Sequence, residues 1–343
     1  MGELSCALYS SEGYRAVRRL LSIFLLAAAL LGGYAAWWLN QALALQSDPV
    51  DLVIQPGASA RTVAQLAVDA GTQTNATLLY WWFRLSGDAR QIKAGSYEIE
   101  QGTTPRRLLQ KLVNGEQAVR SVTFLEGWTF SQVRESLSKA EHLAQDTKGL
   151  APDLIMKALG KPDTHPEGRL FPDTYTYAKG SSDLGVLKSA VQAMDRQLEA
   201  AWKLRASHSP LKTPEQALIL ASIVEKETGR DSDRAEVAGV FTNRLRIGMM
   251  LQTDPTVIYG LGTAFDGNLR RRHLLEDTPW NTYTRTGLPP TPISMPGKAS
   301  LMAAVQPADT KALYFVARGD GTSQFSATLE EHNRAVNKYQ RGQ

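Results

Sequence analysis

Residues 213–228 read T-P-E-Q-A-L-I-L-A-S-I-V-E-K-E-T, and this stretch organises the reading of the whole chain. Thr213 suits a helix N-cap, Pro214 suits the first helical position, and Gln216 completes a capping box, so the pattern predicts a helix beginning here. At about 100° per residue, Ala217, Leu220, Ile223 and Val224 gather on one side. Glu227 falls among them, three residues beyond Val224 and seven beyond Leu220, whereas Glu225 and Lys226 point elsewhere. A carboxyl held against apolar neighbours is pushed towards its neutral form, which a general acid needs at neutral pH. Two plainer readings stand beside that one. The helix could fray so that Glu227 points into water, or Glu227 could pair with an arginine such as Arg230 or Arg244.

Helical spacing continues on both sides of this stretch. Before it, residues 183–202 place Leu184, Leu187, Val191, Met194 and Leu198 on one stripe. After it, residues 233–246 carry Val237, Val240, Phe241 and Leu245, with Gly248 as terminator. Asp254-Pro255 opens a further short helix, with Asp254 as the expected N-cap. Residues 281–297 (N-T-Y-T-R-T-G-L-P-P-T-P-I-S-M-P-G) hold four prolines and two glycines, which excludes a regular helix or central strand. A proline-stiffened loop is either functional or a rigid wrapper over the core. Residues 313–316 (L-Y-F-V) read as a buried strand.

Towards the N-terminus the texture changes. Residues 20–39 carry no charge, and twenty residues at about 1.5 Å rise cross a hydrocarbon core of roughly 30 Å. Arg15, Arg18 and Arg19 precede this run, while Asp48 and Asp51 follow it. The positive-inside rule therefore puts residues 1–19 in the cytoplasm and everything past the anchor outside. A cleaved signal peptide ending at Ala42-Leu43-Ala44 is the alternative, and the length of the apolar run favours an uncleaved anchor. Past a linker at residues 40–47, three stretches share one pattern: an extended segment, glycine, any residue, Ser or Thr, then a helix. Ser59, Thr104 and Thr129 are the expected caps, and Val63, Leu108 and Val133 open the apolar faces. The pattern predicts a small α+β module over residues 48–120, ahead of a larger, mostly helical domain over residues 121–343. Trp81, Trp82 and Phe83 lie in a predicted helix of the module, as core or interface or as a platform for sugar.

Composition narrows the functional class. The 343 residues are 43% hydrophobic and 21% charged with a net charge of +4, which fits an ordinary globular chain and argues against a nucleic-acid binder. Arg270, Arg271 and Arg272 form the compact basic cluster, read as a solvated face with room for an anionic polymer. The single cysteine, Cys6, precedes the apolar run and so does not make a lipoprotein box; it leaves the folded part without disulfides or thiolate chemistry. The five histidines are scattered without metal-ligand spacing, so neither metal nor cofactor is expected.

Several segments then carry a resemblance. Glu225-Lys226-Glu227-Thr228, L-Q-T-D-P-T-V-I-Y-G at residues 251–260, Asn281-Thr282-Tyr283-Thr284 and Gly287-Leu288-Pro289-Pro290 together resemble the YceG-like family of endolytic murein transglycosylases. Residues 167–175 (E-G-R-L-F-P-D-T-Y) and Lys93-Ala94-Gly95-Ser96-Tyr97 fit the same family. Thr291 departs from it, since many relatives carry glycine after the double proline.

The resemblance implies a LysM-like module ahead of a catalytic domain, anchored in the bacterial inner membrane with its catalytic domain in the periplasm. It implies action within nascent peptidoglycan strands, with Glu227 as the catalytic residue and penicillin-binding synthases as partners. In that chemistry the muramic acid's own C6 hydroxyl is the nucleophile, so one carboxyl can serve as acid and then base. Gln252, Asp254, Tyr259, Asn281 and Tyr283 are candidates for holding sugar groups; Asp254 could instead only cap its helix, Tyr259 only fill the core and Asn281 only organise its loop. Two alternatives remain: a hydrolytic muramidase pairing Glu227 with Asp254 or Glu225, and a non-enzymatic cell-wall anchor.

Overall fold

The computed structural model describes residues 11–342. Cys6 and the expected cytoplasmic segment up to residue 10 lie outside the described residues. The chain is a mixture of helices and short strands, and it divides after Val119 into two compact units.

The first unit begins with helix α1 (Ser11–Leu39), longer than the expected anchor because the helix runs on through the arginine-rich flank. Within it, Val17–Leu39 is long and apolar enough to cross a bilayer. Strand β1 (Ala44–Leu45) pairs antiparallel with β3 (Thr72–Gln73), and β2 (Val50–Ile54) pairs antiparallel with β4 (Gly95–Ile99) from Val50 opposite Ile99 to Ile54 opposite Gly95. Strand β2 alternates buried and exposed residues, as a strand with one covered face must. Helices α2 (Ala60–Asp69), α3 (Ala76–Leu85) and α4 (Pro105–Asn114) supply the rest of this core. The repeated strand-to-helix pattern folds as its residues dictate. Ser59 and Thr104 accept the backbone N–H of Thr62 and Arg107, and Gly57 and Gly102 take the left-handed turn before each cap at φ of +82° and +89°.

The second unit repeats that device at the chain's next turn. Strand β5 (Val119–Thr123) leads through Gly127, at φ +74°, to α5 (Phe130–Ser138), where Thr129 and Gln132 form a complete capping box. Strand β5 pairs with β6 (Thr174–Ala178), with α6 (Pro152–Ala158) between them in sequence. Then come α7 (Asp183–Lys203), α8 (Pro214–Glu227), α9 (Arg234–Arg246), α10 (Asp254–Leu261), α11 (Arg271–Leu275) and α12 (Lys298–Val305). A hairpin, β7 (Tyr314–Ala317) and β8 (Ser323–Ser326), and a last helix, α13 (Leu329–Gln340), close the chain.

Three local expectations are corrected here. Residues Ala217 to Val224 of α8 are all buried, not only one stripe, because α7, α9, α10 and α12 surround that helix. Gln216 does not return to Thr213: Thr213 accepts the Gln216 N–H, but the Gln216 side chain accepts the N–H of Lys212, one residue earlier. Strand β7 starts one residue later than read and is mostly half-buried, since it forms an edge of a two-stranded sheet.

Residues 281–297 form neither helix nor strand. The buried Ser222 of α8 holds the second half of this loop by accepting the N–H of Ile293, and Ser294 donates its hydroxyl back to the Ser222 carbonyl. Met295 and Gly127–Trp128 exchange backbone bonds, and Glu225 accepts the N–H of Gly297. That half is the rigid wrapper; the first half reaches the site.

Candidate active site

Glu227 is the final residue of α8, half-buried, at the point where the helix hands the chain back to a turn. Burial is the main force on its carboxyl and raises its pKa above the ordinary value. The Thr253 hydroxyl, which donates to Oε1, works the other way; the neighbouring charge of Asp254 raises the pKa and that of Arg244 lowers it. Its helix end is fixed on the far side, where Glu225 takes the Gly297 N–H and Lys226 Nζ donates to the Gly127 carbonyl at 3.3 Å.

Thr253 is the N-cap of α10 by backbone conformation, yet its side chain makes no cap bond to that helix. The hydroxyl serves Glu227 instead. Thr282, itself buried, holds Thr253 in place: its Oγ1 accepts the Thr253 N–H at 3.1 Å, while its carbonyl accepts the Gln252 N–H at 3.0 Å. Gln252 sits at φ +47°, a left-handed conformation costing a non-glycine residue about 1 kcal/mol, and its side chain is exposed.

Glu227, Gln252 and Thr253 open onto a cleft of about 800 Å³. Glu227, Gln252, Asp254 and Tyr283 line one part of it, and Tyr314 and His332 line another. The Tyr283 hydroxyl donates to Asp254 Oδ1 at 2.6 Å. Arg244 lies 5.4 Å over the Tyr314 ring, and its guanidinium is anchored by the carbonyls of Leu313 and Leu251 at 2.7 and 2.6 Å. Tyr314 stacks in turn on His332 with 5.2 Å between centroids. Burial first, and then the Arg244 charge, lowers the pKa of His332, so its imidazole is neutral at neutral pH. Its enclosed Nδ1 has no hydrogen-bond partner among the described residues. Chemically, the cleft offers one carboxyl biased towards its protonated form, a second carboxyl clamped by a phenol, and an aromatic wall on which a sugar ring can stack. Among the described residues, no cluster of three His, Cys, Asp or Glu side chains is placed to hold a metal ion.

The family model described as YceG-like matches residues 52–338, which covers both folded units. The chain belongs to the YceG-like family. Among relatives of this YceG-like protein is a Bacillus subtilis (strain 168) protein named endolytic murein transglycosylase, 31% identical, with 84% of each chain covered. A Streptococcus pneumoniae (serotype 2, strain D39) protein of the same name is 26% identical; the match covers 93% of this chain but 65% of that longer one. A crystal structure of a yceG-like protein from Listeria monocytogenes is 29% identical and superposes with a TM-score of 0.52, covering 84% of this chain and 98% of that one.

The structure of this YceG-like protein brings four of the six expected site residues together: Glu227, Gln252, Asp254 and Tyr283. Asp254 is not a helix cap, contrary to the expectation; Thr253 takes that position and Asp254 bonds Tyr283. Asn281 is buried, 1% exposed, and its side chain is fully engaged within its loop. Its amide donates to the carbonyls of His273, Leu274 and Glu276 and its oxygen accepts the Tyr283 N–H, so it positions Tyr283 instead of lining the cleft. Tyr259 lies against Trp280 and donates towards Glu167, away from the cleft lining. The departure at Thr291 is accommodated, since its hydroxyl accepts from Trp280 Nε1 at 3.0 Å and donates to the Pro292 carbonyl. Thr253, Thr282, Tyr314 and His332 escaped the sequence reading. The first two lie inside the family segments, but their role depends on which hydroxyl meets which, and His332 carried no signal at all.

Proposed function

We infer that this chain is a lytic transglycosylase that cuts within peptidoglycan strands, with Glu227 as its catalytic acid and then base. The observation that carries this reading is a carboxyl at the end of a buried helix, raised in pKa by burial, oriented by Thr253 and open to a cleft of about 800 Å³. The names of the Bacillus and Streptococcus relatives support the substrate and the endolytic mode.

Glu227 first gives its proton to the glycosidic oxygen between MurNAc and GlcNAc as the C1–O bond breaks. The resulting carboxylate then takes the proton of the MurNAc C6 hydroxyl as O6 bonds to C1. The products are a 1,6-anhydro-MurNAc end and a new GlcNAc end, with no water consumed. Asp254 and Tyr283 are placed to bind sugar hydroxyl or N-acetyl groups, with Gln252 beside them. A hydrolytic partnership of two carboxyls is favoured only for Asp254, because Glu225 is committed to Gly297 on the other side of α8.

In the same reading, α1 anchors the chain in the inner membrane, with Arg15, Arg18 and Arg19 inside and Asp48 and Asp51 outside. The catalytic unit is then periplasmic, the first unit is a LysM-like module on the path to the wall, and residues 121–343 form the catalytic domain. An anchored cutter acts where strands emerge, which suits partnership with penicillin-binding synthases and a role in ending polymerisation. Digestion of purified peptidoglycan followed by mass analysis tests the reaction: anhydro ends from within strands are expected, and E227Q should abolish them while the protein stays folded. Hydrated reducing ends, or an active E227Q, would overturn it. Co-purification of the synthases with the full chain tests the partnership.

A further inference from the structure

Helix α3 is amphipathic in an unusual way. Leu79 and Phe83 fill the first unit's core, yet Leu78, Trp81 and Leu85, spaced i, i+3 and i+7, form a second apolar stripe on its outside. They are 41%, 50% and 77% exposed. Exposed Arg84 borders the stripe beside Trp81, Arg90 follows the helix, and Arg61 covers the face of Tyr80 at 4.8 Å. Apolar side chains with tryptophan, edged by arginines, are the composition of a helix lying in a bilayer interface.

The stripe's position fits the same surface. Only residues 40–43 separate the end of α1 from β1, and Trp38 packs against the first unit's core, so the unit is held at the end of that helix. Leu43 donates its N–H to the Thr103 carbonyl at 2.8 Å, α1 touches α4, and Trp82 Nε1 donates to the Pro105 carbonyl at 3.1 Å. The start of α4 therefore touches both the exit from α1 and the α3 residue next to Trp81. Through two hydrogen bonds and two peptide units, Trp82 is within about 20 Å of Leu43.

We propose that Leu78, Trp81 and Leu85, with Arg84, form a docking surface by which the first unit lies on the outer face of the same bilayer that α1 crosses. The docking rests on the membrane reading of α1. It gives the unit a second attachment that fixes its tilt, with the apolar side chains at the acyl boundary and the arginines at lipid phosphates.

The test uses the full chain in vesicles of phosphatidylethanolamine and phosphatidylglycerol. A C6S background carries a single cysteine at Leu85→Cys, labelled with an environment-sensitive fluorophore. The expected result is blue-shifted emission, quenched at least twofold by lipids spin-labelled near the headgroup and shielded from aqueous iodide. Iodide access at Leu85→Cys would overturn the docking, as would shielding from both quenchers, which means that protein covers the stripe. A companion Leu30→Cys label separates the two claims. Quenching of that label by deeply labelled lipids with an iodide-accessible Leu85→Cys sinks the docking alone, whereas an iodide-accessible Leu30→Cys sinks the anchor and the docking together.

Discussion

Replacing Thr253 with valine removes one hydroxyl and keeps the shape of the side chain. The N-terminus of α10 should be indifferent, since the Thr253 side chain makes no cap bond there and Thr256 donates to the backbone carbonyl of Thr253, not to its hydroxyl. Glu227 loses the hydrogen bond that holds its pKa down, while the burial that holds it up remains. A hydrogen bond to a charged group is worth about 1.5–3 kcal/mol, so its loss favours the protonated carboxyl and raises the pKa of Glu227 further. The free enzyme must carry the proton on Glu227 to attack the glycosidic oxygen. The alkaline limb of the kcat/KM profile should therefore move to higher pH. The sign for stability follows from the same shift. A folded-state pKa raised further above the unfolded value leaves T253V equal to the parent below the unfolded pKa. It becomes progressively less stable as pH rises through the folded pKa. The assay is release of anhydro-muropeptides from purified peptidoglycan across a pH series, with T253S as the variant that restores the parent profile. An alkaline limb that stays in place, with full activity, would refute the coupling between Thr253 and Glu227.

Three further outcomes follow from the same geometry. Glu167 is 3% exposed with a pKa pushed to about 7, chiefly by burial. As pH rises from about 4.5 to 7 the folded state keeps a proton that the unfolded chain has lost, and about 3 kcal/mol of stability disappears. Melting temperatures from pH 5 to 8 should fall more steeply in the parent than in E167Q, and parallel curves would contradict the burial argument. Asn281→Ala should destabilise the protein by about 3 kcal/mol, because three carbonyls and one N–H lose their partner in a buried loop; chemical denaturation measures it. Gln252→Gly relieves the left-handed backbone, worth about 1 kcal/mol, and deletes the side chain. If that side chain holds sugar, kcat/KM drops about tenfold while thermal stability stays level or rises; unchanged kcat/KM removes Gln252 from the site.

What the sequence disclosed divides along physical lines. Caps such as Ser59, Thr104 and Thr129 were legible because each needs only its own next three residues, and each bonds the expected N–H. The position of Glu227 at the end of α8 was legible from helical phase, although the helix is enclosed by neighbours that the phase alone could not announce. The candidate partners were less so. Asp254 and Thr253 are adjacent, and propensity makes either a cap; only the arrival of Tyr283 and Glu227 from elsewhere decides their roles. Asn281 looks like a ligand residue in a list and is a loop organiser in space, because three carbonyls converge on it. Tyr314 and His332 belong to the cleft only because the C-terminal hairpin and α13 fold back to it.

The bracing of α8 has a consequence in time. Ser222 meets Ile293 across 71 residues, Glu225 meets Gly297 across 72, and Lys226 meets Gly127 across 99. Such pairings form late, after the long intervening loops have closed. A chain made only as far as residue 250 already contains Glu227, but it lacks Thr253, Tyr283 and the hairpin that walls the cleft. A chain clipped before residue 251 therefore keeps its carboxyl but loses the hydroxyl that orients it and one wall of its cleft.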